Sequence, residues 1–211
     1  MTNPELEDAD GLIRPAWANA SPLLREYYDT EWGMPVVGES AMFERLSLEA
    51  FQCGLSWSTI LAKRDAFRQV FHGFDVDAVA AMEVPDIERL LADPRIVRNR
   101  RKIEATVTNA RAALALRERG THLGEVIWGY LPERTYAPQT PSDVPSRDEV
   151  STRMSTDLKA LGFRFVGPTT CFALMEAVGL YDTHLVGSHR RGSSGIFAPD
   201  GTKNASALGA R

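Results

Sequence analysis

Apolar residues recur at three- and four-residue steps along most of this chain, the spacing that gathers side chains on one face of an α-helix. Over 39–55 the stripe is Phe43, Leu46, Ala50 and Phe51. Ile60, Leu61, Phe67, Val70 and Phe71 continue it, with Lys63, Arg64 and Arg68 on the opposite side. The stretch 75–93 predicts two short helices broken near Pro85. A longer helix starts near Asn99, with Ile103, Val107, Ala110 and Leu114 turned inward and Gly120 as its stop. Ser146 and Glu149 have the spacing of a capping box ahead of Val150, Met154, Leu158 and Leu161, and Gly162 closes that helix. A further helix covers 169–178 and ends at Gly179.

Alternating β-branched runs bounded by turns are almost absent. Pro132, Pro138, Pro141 and Pro145 make 131–145 an extended surface excursion rather than an element. The first twelve residues and 193–211 are small, polar and unpatterned, so they are expected to be flexible segments flanking one helical domain over 13–192. The fold class that follows is all-α.

Composition narrows the function classes. Of 211 residues, 44% are hydrophobic and 25% charged, with a formal net charge of -4, which argues against a polycation that coats nucleic acid but leaves room for a local basic face. No apolar run approaches the ~20 residues that span a bilayer, and the acidic N-terminus lacks the pattern of a signal peptide. Cys53 and Cys171 are too few for a disulfide scaffold. The expectation is a cytoplasmic monomer without a membrane partner. No P-loop or Rossmann fingerprint appears, so no nucleotide cofactor is expected.

Four local features could carry chemistry. Glu49 interrupts an apolar helix, where a carboxylate is costly unless it meets donors; it reads either as a solvent-facing or ion-paired residue, or as a carboxylate in a pocket. Trp17, Tyr27, Tyr28 and Trp32 cluster near the N-terminus and Trp57 follows, which suits either a core or a slot for a flat ring. Arg95, Arg98, Arg100, Arg101 and Lys102 lie within nine residues, either a solvated helix face or a patch for phosphates. The stretch 162–170 (GFRFVGPTT) joins two helices, either as an ordinary turn or as a backbone cradle for a phosphate oxygen.

Together these segments resemble the DNA-3-methyladenine glycosylase I family, within the helix–hairpin–helix DNA glycosylases. The likeness is carried by 27–33 (YYDTEWG), 48–57 (LEAFQCGLSW), 97–100 (VRNR) with Lys102 and Ile103, 165–170 (FVGPTT) and 182–184 (DTH). It implies helical lobes around a base-binding cleft and hydrolysis of the N-glycosidic bond of 3-methyladenine in double-stranded DNA after base flipping. Glu49 is then the base-reading carboxylate, Trp57 stacks on the extruded ring, and Tyr27, Trp17 and Trp32 complete the walls. Gly54 and Leu55 fill the gap in the duplex. Gly167, Thr169 and Thr170 hold the backbone with Arg98, Arg100 and Lys102. Asp182 falls where related enzymes place an aspartate that assists the sugar or orients water, although an N-cap or surface carboxylate is as good a reading.

Members of that family commonly carry a structural zinc held by two cysteines and two histidines. The corresponding positions here are Pro15, Tyr28, His184 and Ser188, of which only His184 ligates strongly, so no zinc and no other cofactor is expected. Two other functions stay open: a non-catalytic binder of damaged DNA, and a glycosylase of the same fold for a different alkylpurine.

Overall fold

A computed structural model describes residues 10–205. The chain divides into two compact units, one made of Met1–Pro35, Leu131–Ser146 and Met175–Arg211, the other of Val36–Tyr130 and Arg147–Leu174.

In the first unit, α1 (Pro22–Thr30) starts at Ser21, whose hydroxyl accepts from the Leu24 amide, with Pro22 in the first helical position. Arg14 is almost fully buried and pays for that by gripping Asp29 with two hydrogen bonds of 2.8 Å each. The proline-rich stretch is extended as expected, but it is not isolated. Thr135 donates its amide to Gly201 and Lys203 donates its amide to Glu133, so part of the supposed tail is laid along it. Ile196 and Phe197 are buried. One apolar pair inside a polar stretch anchors 193–205, a signal too short for periodicity to register. The remaining residues of both expected flexible segments, 1–9 and 206–211, lie outside the described range.

The second unit holds α2 (Glu39–Gln52), α3 (Trp57–Ala62), α4 (Arg64–Val70), α5 (Val76–Ala80), α6 (Val84–Ala92), α7 (Arg100–Glu118), α8 (Leu123–Trp128) and α9 (Glu149–Ala160). The last helix, α10 (Pro168–Ala177), begins in this unit. Phe43, Phe51, Phe67, Phe71 and Phe74 are fully buried and pack ring on ring, with Phe51 and Phe67 centroids 4.5 Å apart. Each such side chain contributes on the order of 1.5–3 kcal/mol by leaving water.

The described residues contain no strand, only two isolated bridges, which agrees with the all-α reading. Pro85 lies in the first turn of α6, and the chain breaks just before it. The capping box was misplaced. Asp148, not Ser146, caps α9, accepting from the Ser151 amide at 2.7 Å while Ser151 Oγ accepts from the Asp148 amide. Leu114 is only half-buried, and Leu116 takes the inward position instead. No described helix is long and apolar enough to cross a membrane.

Candidate functional site

In α2 the burial is not a stripe. From Leu46 to Phe51 every side chain is buried, which carries Ser47 and Glu49 inward with the apolar residues; Glu49 is 5% exposed. The solvent-facing reading of Glu49 is thereby overturned. The helix ends at Gln52, Cys53 turns out of it, and Gly54 takes a φ of +80° that a side chain resists. Leu55 donates its amide to Gln52 O at 2.6 Å and leaves its side chain 40% exposed. Ser56 then caps α3 by accepting from the Thr59 amide, so Trp57 is the first helical residue and is half-buried. One short segment thus presents a buried carboxylate, a tight turn with an exposed leucine, and an indole.

Lys102 is not on the surface. It is 7% exposed, and its ammonium donates to Phe51 O at 2.8 Å and to Cys53 O at 2.6 Å. Burial holds its pKa below the usual lysine range. It therefore satisfies the last carbonyls of α2 rather than reaching out as a phosphate ligand, and the expectation of a DNA contact fails for this residue. Arg100 pairs with Glu88 at 2.8 Å and Arg95 with Asp93 at 2.7 Å, while Arg98 and Arg101 are exposed.

The turn 161–167 between α9 and α10 is held from inside. Asn109 of α7 accepts from the Arg164 amide at 2.7 Å and donates to Arg164 O at 3.0 Å, and Ser155 Oγ donates to Val166 O. Phe163 and Val166 are buried, and Phe165 has a φ of +55°. Gly167 and Pro168 are half-buried and Thr169 is exposed where α10 begins, whose first amides have no acceptor within the helix. Thr170 instead turns inward, 8% exposed, with Oγ1 3.4 Å from Cys53 Sγ. Beside the turn Arg101, Arg164 and Phe165, with Glu104, Ala105 and Thr108, line an open groove of about 480 Å³.

The first unit holds the aromatic residues clustered near the N-terminus. Trp17, Tyr28 and Trp32 pack with centroids 5.4–5.7 Å apart, and His184 meets Trp32 edge-on at 4.8 Å. Gly33 passes so close that a Cβ there would lie 2.5 Å from His184 Cε1. Tyr27 is buried in α1. Asp182 is buried as well. Burial opposes its ionisation, but the hydrogen bonds from His184 Nδ1 at 2.7 Å and the Gly192 amide at 2.7 Å, with Arg191 nearby, hold its carboxyl below the usual range. Burial likewise keeps His184 below the ordinary histidine value. Both Asp182 oxygens are engaged within the fold. That is a structural duty, different from the N-cap or surface carboxylate the sequence also suggested.

The positions matching the family's zinc site do not fit a metal. Tyr28 is fully buried with its hydroxyl 2.8 Å from Ser188 Oγ and Pro15 has no ligating side-chain atom, so His184, whose Nδ1 pairs with Asp182, leaves one imidazole nitrogen, Nε2, where a tetrahedral site needs about four strong donors. Burial pushes the Tyr28 phenol up to about 12. Sequence reasoning overlooked Asn109 and the true direction of Lys102; the one available signal was a polar residue at an inward position of α7.

A model described as methyladenine glycosylase matches residues 17–191. DNA-3-methyladenine glycosylase 1 of Escherichia coli (strain K12) is 41% identical over 176 residues, covering 82% of this chain and 94% of that protein. A crystal structure of a 3-methyladenine DNA glycosylase I superposes with a TM-score of 0.81 at 38% identity, covering 83% of this chain and 98% of that one. A Staphylococcus aureus structure concerned with 3-methyladenine recognition gives a TM-score of 0.76 at 38% identity, with 79% and 89% covered.

Proposed function

This chain belongs to the methyladenine glycosylase family, and we propose that it excises 3-methyladenine from alkylated double-stranded DNA by hydrolysis of the N-glycosidic bond. The observation that carries the reading is Glu49, a carboxylate buried in α2 immediately ahead of the turn that leads to Trp57. Methylation at N3 leaves adenine cationic, so the bond to the sugar is already weakened. Its electrons go to the departing ring, which leaves neutral. Water adds to C1′ of the oxocarbenium-like sugar and loses its proton to solvent, and an abasic site remains. No strong general acid is needed.

Glu49 accepts hydrogen bonds from the exocyclic amine edge, and its charge favours the cationic purine over neutral adenine because the attraction is strong in a dry pocket. Trp57 stacks on the ring, an interaction worth ~1–3 kcal/mol per base. Gly54 and Leu55 occupy the space left in the duplex. The backbone at Gly167 and Thr169 and the exposed Arg98 hold phosphates, positioning the lesion while the pocket selects it. The protein acts in this reading as a cytoplasmic monomer.

No structural zinc is part of the proposal, given the Tyr28–Ser188 hydrogen bond where ligands would be required. Tag-free protein is expected to hold well under 0.1 zinc per chain by elemental analysis, a value near the ~0 expected without a tetrahedral donor set. One zinc per chain would refute this.

The activity is tested by incubating the protein with methylated duplex DNA and chromatographing the bases set free. Release of 3-methyladenine is expected. Tight binding without release would mark a non-catalytic binder of damaged DNA, and release of another adduct would mark a different alkylpurine specificity.

A further inference from the structure

Lys102 is a buried cation that the proposed chemistry leaves unused. Its backbone is fixed by the start of α7, where the Lys102 amide donates to the Asn99 cap at 3.2 Å. Its side chain runs inward, and the ammonium donates to two carbonyls, Phe51 O and Cys53 O, that lie on either side of the last residue of α2. A helix ordinarily ends with carbonyls open to water. Here a charge on another helix takes them instead, and a cation at a helix C-terminus is favoured by the aligned peptide dipoles as well. The bonds fall immediately before Gly54 and Leu55. Cys53 is held a second time, through Sγ at 3.4 Å from Thr170 Oγ1 on α10. The path of the chain between Gln52 and Ser56 is thus set by α7 and α10 and not by α2 alone.

We infer that Lys102 is a positioning residue for the 53–55 turn, holding the exposed Leu55 at the angle needed to fill the gap left by an extruded base. This rests on the proposed glycosylase reading for its consequence, but the clamp itself is a statement about the free protein. Glu49 lies within α2, upstream of both clamped carbonyls and secured by the helix's own hydrogen bonds. The clamp acts on the exit from the helix. Loss of the ammonium therefore frees the turn while leaving the base-reading carboxylate in place, so duplex work and free-base binding part company.

The test uses Lys102→Met, which keeps the length of the side chain and removes its donors, beside Lys102→Arg, which can still reach both carbonyls. Amide hydrogen exchange in the absence of DNA reads the clamp directly. Lys102→Met is expected to raise exchange about tenfold or more at 53–57 relative to α9, as local opening of a released segment does. Unchanged exchange there would overturn the inference whatever the enzyme's substrate. Single-turnover excision from methylated duplex is expected to fall on the order of 10- to 100-fold, the effect of a small misplacement, while quenching of the tryptophans by free 3-methyladenine stays within about twofold and Lys102→Arg recovers most of the rate. Equal loss of duplex excision and free-base binding would also overturn it, reducing Lys102 to general packing. Failure of the parent protein to release 3-methyladenine would sink the glycosylase reading alone, because the exchange measurement still decides the clamp.

Discussion

Burial pushes the Glu176 carboxyl up to about 7, and the hydrogen bond it accepts from Thr183 Oγ1 at 2.7 Å only partly offsets that. The folded protein therefore holds this proton more tightly than the unfolded chain does. Between the ordinary value of 4.5 and about 7, stability falls as pH rises, with a slope of at most about 1.4 kcal/mol per pH unit. Asp182 has the opposite sign: its carboxyl is held low, so its contribution is complete above the unfolded value and disappears as pH falls through the folded one. Glu176→Gln removes the first effect without removing the acceptor for Thr183. Thermal melts of this variant are expected to lose the decline between pH 4.5 and 7 and to exceed the parent above it; an unchanged slope would contradict the assignment. At this scale the sequence was informative where a residue type conflicts with its local pattern, as Glu49 does inside an apolar helix. It was silent where direction decides, as for Lys102. A lysine in a basic run looks solvated, and only the approach of α2 to α7 gives its ammonium two carbonyls to meet.

Among the elements, the turn between α9 and α10 shows how a short loop is made rigid. Asn109, 1% exposed, closes both backbone groups of Arg164 with its amide. Asn109→Ala leaves that part-buried amide and carbonyl without these partners, a loss of about 1–3 kcal/mol for two hydrogen bonds. Urea unfolding is expected to report a loss of that order, and affinity for duplex is expected to weaken while free-base binding holds. Equal stability, or intact duplex affinity, would show that Asn109 does not brace the turn. Helices with long apolar periodicity were legible from the chain alone, α2 and α7 above all. Shorter ones such as α1 and α8 offer too few turns for a period to emerge, and the start of α9 slipped by two residues because two acceptable caps lie close together. The capping chemistry was right in kind; which residue used it was decided by packing.

Across the whole molecule, charge and the clustering of functional residues point the same way. A chain of net charge -4 keeps Arg98, Arg101 and Arg164 exposed, and the last two line the groove beside the turn that precedes α10. The family was legible because several separated motifs occur in order, each tied to a local shape that the structure reproduces: the helix end at 53–55, the capped start at Ser56, the turn at 161–167. The division into two units was not, since each unit is assembled from segments far apart in sequence and no linker marks the boundary. The packed 193–205 stretch escaped because its two anchors are adjacent residues rather than a pattern. The claim on which the rest depends is that the Glu49 carboxylate distinguishes a cationic purine from a neutral one. It is tested most directly by comparing Glu49→Gln with the parent in single-turnover release of 3-methyladenine from duplex DNA. The amide keeps the shape and loses the charge, so release is expected to slow on the order of 10- to 1000-fold, about 1.4–4 kcal/mol of transition-state stabilisation. Release at the parental rate would contradict the account.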